Sequence, residues 1–415
     1  MTPELSSRLP SLRWNFTWTF AGNAFYNGCQ WLMVVLIAKL RTPEDVGRFV
    51  MAFAVSAPIF MFANLNLRAV QATDAAGEFS FNTYGSLRLV TTAAALAVVC
   101  TVAACGPFDP EITVLILIVG LAKGIECLSD IVFGRLQFGE LMDLIAKSMI
   151  FKGASSLAAI AAILYFTGSL PLAAGGMAAS WLAVFCLYDL KNLHRAAGEQ
   201  VRPSFDRAVL TRLFVVALPL GAVMMLISLN TNIPRYFVER QLGIRQLGLY
   251  GAMAYIIVAG AAIVMALGQS AAPRLAKYYA AQDYCAFRQL VRKLLVLGTA
   301  IGCGMLLAAL VAGRQILHLL YGPEYAAYNK VFVLLMAAAP FLYAASLFGY
   351  AVTAARRFVA QLPVLVTVNL VNVAVCYFSL DLFGLRAVPI ALLLGALTQL
   401  AGFSCIIRRA LEGAA

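Results

Sequence analysis

Long apolar runs follow one another along almost the whole chain and constrain its fold more than any other feature. A helix needs roughly 20 mostly apolar residues to cross about 30 Å of hydrocarbon, whereas a barrel strand needs about ten. Because backbone polar groups must be satisfied within the lipid, runs of the longer kind predict helices and an all-α integral membrane protein. Only 12% of the residues are charged, which excludes a single water-soluble globule. Twelve spans are predicted, at residues 14–38, 46–66, 86–106, 111–133, 145–167, 169–190, 209–231, 246–271, 291–313, 328–352, 359–380 and 385–407.

The longest polar stretch, residues 191–212, separates six spans from six. A faint repeat supports this division, since residues 44–49 enter the second span much as residues 245–250 enter the eighth, about half a chain later. The sequence therefore predicts two six-helix bundles, residues 1–200 and 201–415. We expect them to be pseudo-symmetric about an axis along the membrane normal and to surround a central cavity, as in many transporters.

The chain carries a formal net charge of +12, from 31 basic and 19 acidic residues. Most of the basic residues, including Arg88 and Lys152, are assigned to one side of the predicted spans, and only Lys123 is assigned to the middle of a span. Because Lys and Arg are retained on the cytoplasmic side, both termini are predicted to be cytoplasmic. The excess is typical of cytoplasmic loops and does not indicate a nucleic-acid partner.

Sequence motifs for catalysis or metal binding are missing. The nine cysteines contain no CxxC pair and there are two histidines, so neither a metal site nor a disulfide framework is predicted. No GxxxxGK[ST] segment is present, which argues against ATP hydrolysis by this chain. Asp109 and Glu111 lie in a hairpin too short for an active site. We therefore expect no cofactor, and we expect a transporter rather than an enzyme.

The span over residues 111–133 contains the most informative charges. Lys123 lies near its middle, and Glu126 and Asp130 follow at offsets of three and four, so that all three share one helical face. A lysine at the bilayer centre costs roughly 2.5–3.5 kcal/mol on insertion scales, so this face should line protein or water. Lys123 is thus a candidate substrate contact, with Glu126 and Asp130 as candidate coupling residues. The structural alternative is a self-neutralised ion pair.

The first span carries a polar stripe that continues through Asn23, Asn27 and Gln30 at helical spacing. Such a stripe can wet a cavity and contact substrate. It can equally join helices through interhelical hydrogen bonds. Because the stripe contains no carboxylate, it provides no obvious site for a coupling ion.

Two arginines near predicted span ends extend the set of candidate contacts. Arg68 lies near the inner end of the second span, and Arg235 near the outer end of the seventh. With Lys123 they place cations at three depths, which suits the passage of a phosphate-bearing headgroup because such cations replace its lost hydration. Alternatively, Arg68 and Arg235 snorkel to the interfaces.

The order of several short motifs resembles a known family, the polysaccharide biosynthesis or O-antigen flippase branch of the multidrug/oligosaccharidyl-lipid/polysaccharide exporter superfamily. The resemblance covers nearly the whole chain. It rests on residues 42–47 (TPEDVG), 64–68 (NLNLR), 134–137 (GRLQ), 232–236 (NIPRY), 267–275 (LGQSAAPRL) and 320–325 (LYGPEY).

This resemblance implies twelve helices around a cavity and the transfer of a polyprenyl-pyrophosphate-linked oligosaccharide from the cytoplasmic to the outer leaflet. It further implies a bacterial inner-membrane location, membrane lipid as surroundings, and a glycan polymerase and glycosyltransferases as pathway partners. A monomer is expected, because one chain supplies both bundles. Two alternatives stay open: a cation-coupled drug or metabolite antiporter of the same superfamily, and a membrane glycan-handling enzyme.

Overall fold

The computed structural model describes residues 12–74, 77–197 and 202–412, and this part of the chain is helical with no strand. Its α-helices are α1 (Leu12–Leu40), α2 (Pro43–Asn64), α3 (Leu67–Thr73), α4 (Phe81–Cys105), α5 (Pro110–Phe138), α6 (Met142–Thr167), α7 (Leu170–Val184), α8 (Leu190–Ala197), α9 (Arg207–Leu242), α10 (Ile244–Ala280), α11 (Tyr284–Tyr321), α12 (Pro323–Ala326), α13 (Asn329–Ala354), α14 (Phe358–Phe383) and α15 (Ala387–Glu412). A π-helical turn, Phe185–Asp189, joins α7 to α8, and a 3₁₀ turn, Gly384–Arg386, joins α14 to α15.

Ten helical segments of the described chain are long and apolar enough to cross a membrane. The last of them, residues 359–412, contains both α14 and α15. The polar α1 is also 29 residues long, so the described chain contains twelve helical passes of membrane length. The structure therefore confirms the predicted all-α membrane fold.

The largest departures from the predicted spans occur in the longest helices. The helices α9, α10 and α11 contain 36, 37 and 38 residues. A helix of that length measures over 50 Å at 1.5 Å per residue, well beyond the hydrocarbon thickness. Hydropathy detects only the apolar middle of such a helix, so residues 232–242 were expected outside the span although they continue α9.

The described residues form two compact units, one within residues 1–33 and 51–225 and the other within residues 34–50 and 226–415. In the first unit, α5 packs against α3, α4 and α7, and α6 packs against α7. Small residues allow close approach, as where Gly22 of α1 faces the backbone of Ala146 in α6. The predicted boundary near residue 200 stays a prediction.

The second unit is organised around α13, which packs against α10, α11 and α15. It also contains the start of α2, which crosses the start of α10 at Gly47 and Gly248. A Cβ atom on either glycine would collide with the backbone of the opposite helix, so only glycine permits this crossing. Nearby, Arg245 forms ion pairs with Glu44, at 2.8 Å, and with Glu324.

Side-chain caps fix where several helices begin. Asp109 accepts a hydrogen bond from the amide of Ile112 at 2.8 Å, and Pro110 opens α5 with its φ angle already set. Ser80 caps α4 in the same way by accepting from the amide of Thr83. Because α5 begins at a defined residue, the distance of each of its charged residues from the start of the helix is also defined.

Asp74 organises the connection between α3 and α4. Its carboxylate accepts hydrogen bonds from the amides of Glu78 and Phe79, at 2.9 and 3.0 Å, and from the hydroxyl of Tyr84 at 3.2 Å. Although partial burial opposes ionisation, these donors lower the pKa of Asp74 below its usual value. The ionised carboxylate therefore stabilises the entry into α4.

Candidate functional site

The candidate site is built on α5 within the first unit. The polar residues Lys123, Glu126, Asp130 and Gln137 recur along this helix at offsets of three, four and seven, which is the spacing of one helical face. The opposite face carries apolar side chains, several of them exposed. Three groups of charges in the first unit meet residues of this helix, and they differ in composition and exposure.

Lys123 and Glu126 form the first group, which we call the accessible pair. The Lys123 ammonium lies 2.6 Å from the Glu126 carboxylate, and the Tyr26 hydroxyl of α1 donates to the same carboxylate at 3.2 Å. The ammonium also lies 5.5 Å from the ring centroid of Phe53 in α2, within cation–π range. The lysine and glutamate side chains retain 23% and 35% of their accessible surface. A small ligand group can therefore reach this ion pair.

Asp130 belongs to a second group, which we call the arginine clamp. Its two carboxylate oxygens lie 3.5 Å from Arg68 and 3.3 Å from Arg88. Arg68 also donates to Gln137 at 2.9 Å, and the fully buried Arg88 donates to the side-chain oxygen of Asn64. Two guanidinium groups thus share one carboxylate, and the clamp carries a net positive charge.

Lys152 of α6 and Asp189 of the π turn form a third group, the sealed pair. Their charged atoms lie 2.7 Å apart, and the side chains retain only 4% and 1% of their accessible surface. Ser129 of α5 accepts a hydrogen bond from Lys152 at 2.5 Å, and Ser148 donates one to Asp189 at 2.5 Å. Every charge in this pair is matched and hydrogen-bonded, as a buried ion pair requires.

These groups revise the sequence interpretation in two respects. Lys123, Glu126 and Asp130 do not form one cluster, because Asp130 pairs with arginines from α3 and α4 instead of with the lysine. Arg88 and Lys152 are not loop residues as the charge count assumed; both lie buried inside long helices. Both residues fall within the predicted spans 86–106 and 145–167, which was the available signal, but the charge count left only Lys123 in the middle of a span.

The polar stripe of α1 is only partly committed to local hydrogen bonds. Asn23 donates to the carbonyl of Thr19, one turn earlier, at 2.7 Å. Asn27 and Gln30 are partly exposed on the same helix, where Asn27 directly follows Tyr26 and Gln30 directly follows the buried Cys29. The stripe therefore offers amide groups close in sequence to the tyrosine that contacts Glu126.

Arg235 lies in the second unit, near the end of α9. Its guanidinium donates to the side-chain oxygen of Asn232 at 2.9 Å and lies 5.9 Å from the ring centroid of Tyr255. Both contacts hold the guanidinium without neutralising it. Arg235 is therefore held by two uncharged groups and is partly exposed, and its role as a substrate contact stays a prediction.

In chemical terms, the three groups of the first unit provide four cations and three carboxylates. Guanidinium and ammonium groups donate charge-assisted hydrogen bonds to phosphate oxygens. Among the described residues, no three His, Cys, Asp or Glu side chains are arranged to hold a metal ion. The arrangement suits an anionic ligand whose oxygens compete with Glu126 and Asp130.

Comparison with known proteins identifies the family to which the chain belongs. The family model described as polysaccharide biosynthesis protein matches residues 12–279, and the MatE model matches residues 219–378. The chain is 29% identical over 385 residues to the capsular polysaccharide biosynthesis protein CapF of Staphylococcus aureus, covering 92% of this chain and 93% of CapF.

Two solved structures share the fold. An inward-facing multidrug resistance MATE family transporter aligns with a TM-score of 0.73 at 13% identity, covering 94% of this chain and 96% of the transporter. The lipid II flippase MurJ, in an inward closed conformation, aligns with a TM-score of 0.73 at 12% identity, covering 94% and 90% of the two chains. At such identities the alignments establish the fold alone.

Proposed function

Because the chain belongs to the polysaccharide biosynthesis protein family, we propose that it is a flippase for a polyprenyl-pyrophosphate-linked oligosaccharide. The substrate is a repeat unit of a polysaccharide such as O-antigen or exopolysaccharide, carried from the cytoplasmic to the outer leaflet of the bacterial inner membrane. Both termini face the cytoplasm, and the chain acts as a monomer. The name of the CapF relative supports a role in polysaccharide biosynthesis.

The surplus of cations over carboxylates in the accessible pair and the arginine clamp is the observation that carries the proposal. Acidic groups should dominate a pathway for cationic drugs, whereas here Arg68, Arg88 and Lys123 outnumber Glu126 and Asp130. A pyrophosphate loses strong hydration when it enters a membrane protein, and charge-assisted hydrogen bonds replace that hydration. The surplus therefore favours an anionic headgroup as the ligand.

The proposed binding step is an exchange of anions. The pyrophosphate takes the place of Glu126 at Lys123 and of Asp130 at Arg68, while Arg88 stays anchored by Asn64. Glu126 then loses the ammonium of Lys123, and Asp130 loses Arg68 while it keeps Arg88. Glu126 and Asp130 are proposed as the residues that couple this exchange to transport.

The sugar and the later stages of transport involve other residues. Asn23, Asn27 and Gln30 are proposed to contact the oligosaccharide through their amides, and Arg235 is proposed as a second phosphate contact. Alternating access between six-helix halves moves the headgroup while the lipid tail stays in hydrocarbon. A glycan polymerase and glycosyltransferases are the expected pathway partners.

A cation-coupled antiporter is the second candidate, and the match of the MatE model to residues 219–378 favours it. Vesicles containing the purified protein separate the candidates. A flippase moves fluorescent lipid-linked oligosaccharide between leaflets, whereas an antiporter exchanges protons or sodium for a cationic dye. Transfer of sugar to an acceptor in the same vesicles would instead reveal a glycan-handling enzyme.

The decisive variant is Lys123→Ala in the leaflet assay. We expect transfer to fall at least about tenfold, since a hydrogen bond to a charged group contributes roughly 1.5–3 kcal/mol. Lys147→Ala is the matched control, because it also removes a lysine from a partly exposed ion pair one helical turn long, at 2.9 Å from Asp143. Equal transfer by wild type and Lys123→Ala would overturn the proposed substrate contact.

A further inference from the structure

A groove on the second unit has no part in the proposed transport step. It encloses about 490 Å³ between the start of α11 and the end of α15, with Phe348 of α13 as part of its floor. Its wall is apolar and includes Val291, Leu295 and Ile407. Arg288, Arg292 and Arg408 stand along the same groove. The groove thus combines an apolar wall with three cations.

The cations of the groove are available to a ligand. Arg288 and Arg292 lie one helical turn apart and are exposed, and within the described ranges no acidic side chain forms an ion pair with either. Arg408 is only loosely paired, with its guanidinium 3.7 Å from the Glu412 carboxylate. The local charge is therefore strongly positive.

The position of the groove matches the level of lipid headgroups. The apolar spans predicted for α11 and α15 are residues 291–313 and 385–407, so the three arginines lie at or just beyond the apolar limits of these helices. Arginines at such a level attract anionic lipids, and their stems pack along apolar surface. A free water-soluble anion would use the arginines but leave the apolar wall uncovered.

We propose that this groove binds one anionic phospholipid of the surrounding leaflet. The headgroup phosphate contacts Arg288 and Arg292, and an acyl chain covers the apolar wall between α11 and α15. Glu412 competes with the lipid for Arg408. This site is independent of the proposed transport of lipid-linked sugar, so either can hold without the other.

Native mass spectrometry of the full-length protein tests the proposal with phosphatidylglycerol and phosphatidylcholine added at equal concentration. We expect one phosphatidylglycerol to be retained in preference to phosphatidylcholine. In the double variant Arg288→Gln/Arg292→Gln this preference should fall by about tenfold or more, since each basic residue near the lipid surface adds to the attraction of an anionic headgroup. Glu412→Gln should act in the opposite direction, because it releases Arg408.

Arg274→Gln/Lys277→Gln is the charge-matched control, since it removes two exposed cations from the end of α10, outside the groove. It should keep the preference for phosphatidylglycerol. Equal retention of both lipids by wild type, equal loss in the two double variants, or displacement of phosphatidylglycerol by stoichiometric polyprenyl phosphate would each overturn the proposal. If the groove variant does not fold, the direction of the Glu412→Gln effect decides.

Discussion

Two lysine–carboxylate pairs in the first unit have nearly the same geometry and opposite surroundings. The charged atoms lie 2.6 Å apart in the accessible pair, Lys123–Glu126, and 2.7 Å apart in the sealed pair, Lys152–Asp189. The accessible pair retains about a quarter to a third of its side-chain surface, whereas the sealed pair retains almost none. Distance alone therefore does not distinguish a binding group from a structural one.

The surroundings decide what each pair can do. A sealed pair is held by mutual attraction and by serine hydroxyls, and removing one partner leaves a bare charge in the protein interior. An accessible pair loses little when it opens, because solvent or a ligand can replace either partner. We expect the sealed pair to govern stability and the accessible pair to govern transport.

Removing one half of the sealed pair should have the largest effect. Lys152→Ala leaves Asp189 buried and unpaired, which should destabilise the protein by about 3–5 kcal/mol. Thermal unfolding of the purified protein in detergent measures the loss. The double variant Lys152→Met/Asp189→Leu should recover most of the stability and retain leaflet transfer; loss of transfer in a stable double variant would show that the sealed pair also acts in transport.

The accessible pair should show the reverse pattern. Lys123→Ala should change the free energy of unfolding by no more than about 1 kcal/mol, because the pair is partly solvated. Its effect should instead appear in the rate of lipid-linked oligosaccharide transfer, measured on the same preparation used for unfolding. A large destabilisation with little change in transfer per folded molecule would reverse the roles assigned to the two pairs.

The arginine clamp is intermediate between the two pairs, because Arg68 and Asp130 are partly exposed and Arg88 is buried. Asp130→Asn removes the internal anion shared by Arg68 and Arg88 and frees Arg68 for substrate. We expect several-fold tighter binding of inorganic pyrophosphate to the purified protein, measured by calorimetry. Gln137→Glu should weaken pyrophosphate binding, because it places a competing carboxylate at a position whose side chain already contacts Arg68. Unchanged affinity in both variants would exclude anion exchange at the clamp.

The smallest effect is expected at Asp74, outside the membrane-spanning helices. Its pKa is lowered in the folded protein, so its stabilisation is present above the unfolded pKa of about 4 and is lost as the pH falls through the folded pKa. Asp74→Asn should therefore lower the unfolding temperature slightly at pH 7, and this difference should shrink as the pH falls below about 4. A difference that does not change with pH would show that the charge is not responsible.

Much of the fold could be predicted from the sequence, because the length of an apolar run is determined by consecutive residues. Eleven of the predicted spans begin within about five residues of a helix start, and the exception, residues 291–313, lies inside the long α11. Lys123 and Glu126 were also predictable, since partners three residues apart on a helix share a face. The only sequence signal for the crossing of α2 and α10 at Gly47 and Gly248 was the faint repeat between residues 44–49 and 245–250.

The pairing of the remaining site residues could not be predicted, because it depends on contacts between helices that are far apart in the sequence. Arg88 and Asp130 are 42 residues apart, and Lys152 and Asp189 are 37 residues apart. No local period relates such partners, and a charge count assigns each residue only to one side of the membrane. The π turn that places Asp189 against Lys152 has no sequence signature of its own. The accessible and sealed pairs could therefore not be distinguished before the fold was known.

Amine labelling measures whether substrate reaches the accessible pair and not the sealed pair. A small water-soluble amine reagent is applied to the folded protein, and mass spectrometry then measures modification at Lys123 and Lys152 with and without the lipid-linked oligosaccharide. We expect Lys123 to be modified, Lys152 to stay unmodified, and substrate to protect Lys123 while the exposed Lys39 stays reactive. Equal labelling of Lys123 in the presence and absence of bound substrate would show that substrate does not contact this lysine.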